Sequence, residues 1–323
     1  MRKNVRRSVL AHALLAAAAA AIFPAVSRAE EGGSGHYQPG QTATFFDTLP
    51  SREGFTFYND VFYYNGSITG QKNRLEFGGV LYRNVEATIY SDTPRVRYEG
   101  PGELFGADYA AEVGVPFVAM HIKGVLPAGK TAILKVSDGT EGLGDVFFRP
   151  LMLSWNHEDF KWGAMATVWA PTGNYAVGHL ANIGKNYWTF EPGVSFSYLG
   201  SDNGIELTAF AGIDFNTPNN ASHYHTGDQF HLDVALAKHM PLLGGDFAVG
   251  ATGYYYEQFT RDRGSGVLLP KPEGRASGIG PVFTYSRKLR NVDTAVEFKW
   301  LPDITTNNRL NGDAFWLKLE FNF

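Results

Sequence analysis

Five side chains able to ligate a metal crowd into one stretch: His223, His225, Asp228, His231 and Asp233. His223 and His225 flank a single residue, the spacing at which two imidazoles leave one side of a strand, and imidazole with carboxylate suits a first-row divalent ion. The chain has no cysteine and most of the set falls in an expected loop, so no metal ligand and no cofactor is assigned. Gly142-Leu143-Gly144-Asp145 and Gly264-Ser265-Gly266 have the glycines of a phosphate cradle, but neither is completed by a lysine and a following helix. They read as turns. Ser222 beside His223 offers a hydroxyl without a locatable base or orienting group, so no catalytic residue is assigned and the chain is not read as an enzyme.

The chemistry that repeats is period-two alternation. At the end of the chain Phe315, Leu317, Leu319, Phe321 and Phe323 share one face, and Lys318, Glu320 and Asn322 share the other. The ladder from Val292 to Trp300 sets Val292, Val296, Phe298 and Trp300 against Asp293, Glu297 and Lys299. Phe230, Leu232, Val234 and Leu236 alternate with His231 and Asp233, and Ile205, Leu207, Ala209, Ala211 and Ile213 alternate with Glu206, Thr208 and Asp214. One such strand could belong to a soluble sandwich with a wet face. Many of them, with Trp188, Tyr198, Tyr255, Trp300 and Phe323 near their ends as an interfacial girdle, point to an all-β transmembrane antiparallel barrel.

Composition agrees. The 323 residues carry 28 Lys+Arg against 32 Asp+Glu, 37 Gly and 14% aromatics. A disordered chain would lack the 24 Phe and 16 Tyr, a helical membrane bundle would be far more apolar, and a nucleic-acid binder would show a basic stripe. Residues 1–29 read as a secretory signal: Arg2, Lys3, Arg6 and Arg7, an apolar run from Val9 to Phe23, and small residues at Ser27 and Ala29. The run is short for a membrane-anchoring helix. Five of the 28 basic side chains and none of the 32 acidic ones lie before residue 30, so the mature chain is expected to be acidic.

Connection lengths order the ladders. Walking back from Phe323, a long link from Leu301 to Asp313 precedes a short one near Leu289 and Arg290, then a long one from Phe259 to Ala276. The alternation continues: Met240 to Gly245 short, Asn216 to Asp228 long, Gly200 to Asn203 short, Pro171 to Tyr187 long, Asn156 to Phe160 short, Val125 to Gly144 long. Short periplasmic turns and long extracellular loops are the barrel pattern. Upstream, strands are expected near Gly54 to Tyr64, Val85 to Tyr98 and Tyr109 to Lys123, with a loop from Gly66 to Asn84, a turn from Gly100 to Phe105, and Pro94 as an interruption suited to a bulge or a strand end. The total is about 12 strands over residues 54–323, with ten and fourteen as alternatives. Residues 30–53 are expected to be a periplasmic segment that plugs the lumen or trails as a leader.

If the apolar partners face lipid, Glu191, Glu206, Asp214, His231, Asp233, Asp293, Glu297, Lys299, Lys318 and Glu320 point into the lumen. They would line an acid-rich passage or pair with one another and fill it. Val296 and Glu297 must point to opposite sides, so Val296→Arg is expected to impair folding while Glu297→Arg is expected to be tolerated and to favour anions.

Further motifs run through the chain: Gly33-Ser34-Gly35-His36-Tyr37 with Pro39-Gly40, Pro171-Thr172-Gly173-Asn174-Tyr175, and Asn182-Ile183-Gly184-Lys185-Asn186-Tyr187-Trp188-Thr189-Phe190. Thr226-Gly227-Asp228-Gln229-Phe230, Gly253-Tyr254-Tyr255-Tyr256-Glu257-Gln258, Arg261-Asp262-Arg263-Gly264 and Gly278-Ile279-Gly280-Pro281 continue them. With the Gly142 to Asp145 turn, these resemble the outer-membrane barrels named after the meta-pathway of phenol degradation. The resemblance implies a channel encoded with pathways that break down aromatic compounds and supplies no binding residues.

The expectation is therefore an outer-membrane channel for passive uptake of small hydrophobic or aromatic compounds. The alternative is a structural or adhesion barrel with a closed lumen. The expected partners are outer-membrane lipid, small hydrophobic or aromatic solutes, and the barrel-assembly machinery acting on C-terminal Phe323, with no nucleic acid.

Overall fold

The structure is a computed structural model that describes residues 31–42, 53–69, 74–77, 80–128, 132–269 and 273–323. The expected signal segment and residues 43–52 of the expected plug lie outside the described residues.

Alternating side chains let each strand offer lipid an apolar face, and hydrogen bonding every backbone group without water requires the sheet to close on itself. β1 (Gly54–Ile68) pairs antiparallel with β15 (Asn311–Asn322) on one edge and with β3 (Val80–Leu104) on the other, which closes the ring. From β3 the wall runs through β4 (Ala107–Gly114), β7 (Phe147–His157), β8 (Phe160–Trp169), β9 (Thr189–Leu199) and β10 (Ile205–Asn216). It continues through β11 (Gln229–Leu242), β12 (Gly245–Gln258), β13 (Arg275–Leu289) and β14 (Val292–Asn307) back to β15. β5 (Phe117–Ala128) prolongs β4, and β6 (Ala132–Leu143) leads into β7, so the barrel has 12 staves. A three-residue arm, β2 (Leu75–Phe77), folds onto the start of β3.

Pro94 sits where β3 changes partners. Asp92 pairs with Phe117 of β5 and Arg95 pairs with Gly114 of β4, so the proline lies opposite the break at Val115 and Pro116. Its carbonyl accepts from the Val115 N–H at 3.1 Å. A strand residue directs its N–H and C=O to the same neighbour, so the N–H that proline lacks would have faced this break, where no ladder bond is lost.

The second edge of β6 carries no strand partner among the described residues. There the wall is completed by the 170–188 connection, whose Leu180 and Ala181 N–H groups donate to Asp138 Oδ2 at 2.9 and 3.0 Å.

Tight turns gather at the end that holds both barrel termini, including Phe105–Gly106, Leu243–Gly244 and Arg290–Asn291. Leu243 and Gly244 both have positive φ, 49° and 74°, the backbone twist that a two-residue hairpin requires. The long connections at 170–188, 217–228 and 259–274 lie at the opposite end. Four expectations need correcting. The expected Gly66 to Asn84 loop holds the end of β1, the arm β2 and the start of β3 at Val80. Val125 to Gly144 is the β5–β6 hairpin and not a loop, and β14 runs to Asn307, which leaves only 308–310 as a link. β3 runs to Leu104, so the turn begins at Phe105. Ser137-Asp138-Gly139-Thr140-Glu141-Gly142 has no apolar alternation because the inner face of β6 is only half-buried and carries Asp138, Thr140 and Gly142 there, so a period-two reading misses it.

The burial pattern is that of a lipid-facing barrel. In β9, Phe190, Val194 and Phe196 are exposed while Glu191, Ser195 and Ser197 are buried. The same inversion holds in β15, where Leu317 and Phe321 point out and Trp316 and Lys318 point in.

Candidate functional site

The interior is organised around the chain's own N-terminal segment. Tyr37 donates its hydroxyl to Asp233 Oδ1 at 2.5 Å, and Thr42 donates its N–H and hydroxyl to Asp233 Oδ2 at 3.1 and 2.9 Å. The Gly40 N–H adds a fourth donor at 3.3 Å. Opposite, Lys299 Nζ donates to the Gly40 carbonyl at 3.0 Å, Lys318 Nζ to that of Gln41, and Trp316 Nε1 to that of Pro39 at 2.8 Å. Gly40 has φ of 73°, a conformation that favours glycine, and a Cβ there would lie 2.0 Å from Leu301 Cδ1, so Leu301 would have to shift. His36 bonds Asp145 Oδ2 at 2.9 Å and Thr189 Oγ1 at 2.7 Å, and its ring stacks on Trp169 with centroids 5.1 Å apart.

Two ionic networks lie side by side on the inner wall. Lys299 Nζ lies 2.9 Å and Lys318 Nζ 3.8 Å from Glu297 Oε1, all three side chains being fully buried. On the adjoining strands, Glu112 of β4 collects Arg95 at 3.1 Å, Arg97 at 2.9 Å and Arg149, while Asp60 of β1, the ladder partner of Lys318, takes Arg95 Nε at 2.7 Å. Buried charges are tolerable only when paired this completely. On the loop side, Asp262 accepts from the Tyr224 hydroxyl at 2.6 Å, the Gly227 N–H at 2.8 Å and Gln258 Nε2 at 2.6 Å. Burial, and then the adjacent Asp262 carboxylate, push the Tyr224 hydroxyl well above the usual phenol range.

Of the ten residues nominated from the sequence, Glu191, Glu206, Asp214, His231, Asp233, Glu297, Lys299 and Lys318 are buried. Glu206 belongs to a separate cluster near the turn end, where His239 Nε2 lies 2.8 Å from its Oε2. Asp293 and Glu320 are half-buried near the termini, Asp293 lying 3.6 Å from Lys288 Nζ. Glu191, Asp214 and His231 meet on three neighbouring strands, with Nε2 of His231 3.7 Å from Asp214 Oδ1. His223, His225 and Asp228 do not join them. His225 Nε2 bonds the Asn216 carbonyl at 2.8 Å and Asp228 Oδ2 accepts from Thr260 Oγ1 at 3.2 Å.

Between the N-terminal segment and the wall lies a cavity of about 180 Å³. Its wall is mostly apolar: Phe62, Met120, Ile122, Trp169, Leu180 and Tyr187 contribute, with Tyr37 and Pro39 closing it on the segment side. β5, on the paired edge of β6, supplies Met120 and Ile122, and the 170–188 connection, on its open edge, supplies Leu180.

Residues 70–319 match the family described as "Putative MetA-pathway of phenol degradation". The chain belongs to that family. Among solved structures it is similar to an outer membrane channel from Pseudomonas putida F1, at 14% identity and a TM-score of 0.61 over 86% of this chain and 98% of that one. The β domain of the Bordetella autotransporter BrkA follows at 8% identity and a TM-score of 0.45, covering 84% of this chain and 100% of that one. No curated protein matches the sequence. The likeness to the first structure establishes the fold, a closed transmembrane barrel of the outer-membrane type.

Sequence reasoning missed the cluster of Asp60, Arg95, Arg97, Glu112 and Arg149, although a signal was present. Arg95 and Arg97 alternate with Val96 and Tyr98, and Glu112 with Val113, as in the C-terminal ladders. Pro94 and the break at Val115 and Pro116 obscured it. His36, Tyr37 and Asp145 were visible only as family motifs, because their partners lie more than a hundred residues away.

Proposed function

We propose that this protein is an outer-membrane channel for passive uptake of small hydrophobic or aromatic compounds, with residues 31–42 acting as part of an internal plug. The observation that carries this reading is the mostly apolar cavity between that segment and the wall. At about 180 Å³ it is close to the roughly 150 Å³ engineered cavity that takes up benzene, and its aromatic lining favours a flat, poorly charged solute. Family membership and the similar Pseudomonas putida channel support the same direction. The buried Glu297, Lys299, Lys318 and Asp233 then serve mainly to hold the plug and balance charge, and the solute is met mainly by apolar groups.

The route follows from the wall. Beside the cavity the sheet is sealed by the 170–188 connection hanging on Asp138 and not by a strand ladder, so displacement of that connection would let a lipid-soluble molecule leave sideways without crossing the ionic networks. Diffusion down a gradient needs no energy input and no covalent chemistry.

Proteoliposomes loaded with labelled phenol or with a large sugar test the proposal. Uptake of phenol and exclusion of the sugar is expected. Failure to admit either would favour a closed structural barrel. Deleting residues 31–50 and recording planar-bilayer conductance tests the plug separately, since unchanged conductance would remove it.

A further inference from the structure

Two carboxylates deep in the barrel are treated in opposite ways. Asp233 is fully buried and receives four donors from Tyr37, Gly40 and Thr42. Asp214, equally buried one strand away, has no hydrogen-bond partner on either oxygen, and His231, 2% exposed, has none on either ring nitrogen. The 3.7 Å between His231 Nε2 and Asp214 Oδ1 is within ion-pair range for a protonated ring and too long for a hydrogen bond. Orphaned groups of this kind are rare in native interiors and costly there. Together with Glu191 they place three ligand atoms within 4.8 Å of one another.

We propose that Glu191, Asp214 and His231 bind one divalent transition-metal ion of the Zn²⁺ class. Bonds of about 2.1 Å put the ligand atoms of a tetrahedral ion roughly 3.4 Å apart, so the observed His231 to Asp214 spacing fits an ion between them and not a direct contact. Two carboxylates neutralise a double positive charge. The imidazole favours zinc, iron, nickel or copper over magnesium or calcium.

The strand register builds the site. Glu191 and Asp214 stand opposite one another on β9 and β10, next to the Phe190–Phe215 pair, and His231 of β11 pairs with Gly212, two residues from Asp214 on the same face. A Cβ at Gly212 would lie 2.6 Å from His231 Cε1 and Nε2, so this glycine gives the ring room to lean toward Asp214. Outer contacts orient the ligands in the manner of metal centres. Tyr37 stacks on the His231 ring with centroids 4.2 Å apart, and Thr167 Oγ1 and Trp169 Nε1 approach the two Glu191 oxygens at 3.5 Å each. Because Tyr37 belongs to the N-terminal segment, a bound ion would also fix the platform on which that segment rests.

The test uses tag-free, full-length protein in detergent micelles, stripped with a chelator and titrated with Co²⁺ alone. The expected result is one ion per chain, displaced by Zn²⁺, with X-ray absorption showing one imidazole and otherwise oxygen ligands. Asp214→Asn and Glu191→Gln should each weaken Co²⁺ binding by at least tenfold, and His179→Gln, on the exposed surface, should leave it unchanged. Absence of stoichiometric uptake by the folded wild type, a site with two or more imidazoles, or binding that survives the first two substitutions and is lost with the third would overturn the proposal. The wild-type stoichiometry and ligand count decide the matter even if a variant fails to fold.

Discussion

Tyr37 and Asp233 are 196 positions apart in sequence and joined by a 2.5 Å hydrogen bond inside the barrel. A charge-assisted bond of this type is worth about 1.5 to 3 kcal/mol. If the segment plugs the lumen, Tyr37→Phe should therefore raise the fraction of undocked segments roughly tenfold or more while the barrel folds normally. A Gln38→Cys reporter, labelled faster by maleimide when Tyr37 is also replaced, measures the change.

Gly40 offers a second way to release the segment. Gly40→Val places a branched side chain against Leu301 at a positive φ and should raise bilayer conductance toward that of the 31–50 deletion. Gly102→Val is the matched control, since Gly102 also has positive φ, 77°, but nothing within 4 Å of its Cβ position. Equal effects from both would point to backbone strain in general and away from a docked plug.

The expectation for Val296 and Glu297 is revised by the ion pairs. Val296→Arg should still cost on the order of 2 to 4 kcal/mol if it meets the membrane midplane. Glu297→Arg is no longer expected to be tolerated, because it sets a third cation beside Lys299 and Lys318. Glu297→Gln should cost about 3 to 5 kcal/mol by leaving buried lysine charge uncompensated. Band-shift temperatures on unboiled detergent gels report both. A Glu297→Arg barrel as heat-resistant as the wild type would contradict the assigned pairing.

Glu112 balances three arginines, so Glu112→Gln should lower the same transition sharply, by an equivalent of about 3 to 5 kcal/mol. Adding Arg149→Met should recover part of the loss by removing one uncompensated charge. No recovery would mean that Arg149 finds another counter-ion.

The sequence by itself determined the class of fold and most of its faces. Strand periodicity is local: Phe315, Leu317 and Phe321 must share a face opposite Lys318 whatever the rest of the chain does, and a chain with many such strands must close to satisfy its backbone in lipid. Eight of the ten nominated polar side chains are accordingly buried. What those side chains do there was decided only by tertiary structure. Whether Glu297 lines an open passage or neutralises Lys299 and Lys318, whether Asp233 meets the N-terminal segment while Asp214 meets His231, and which edge of the wall lacks a strand all depend on register and on contacts between distant segments. β6 is the clearest case. A strand whose inner face is only half-buried and partly polar leaves little periodic trace in its residues, because the hydrophobic pattern records which side of a strand is dry and not which neighbour it finds.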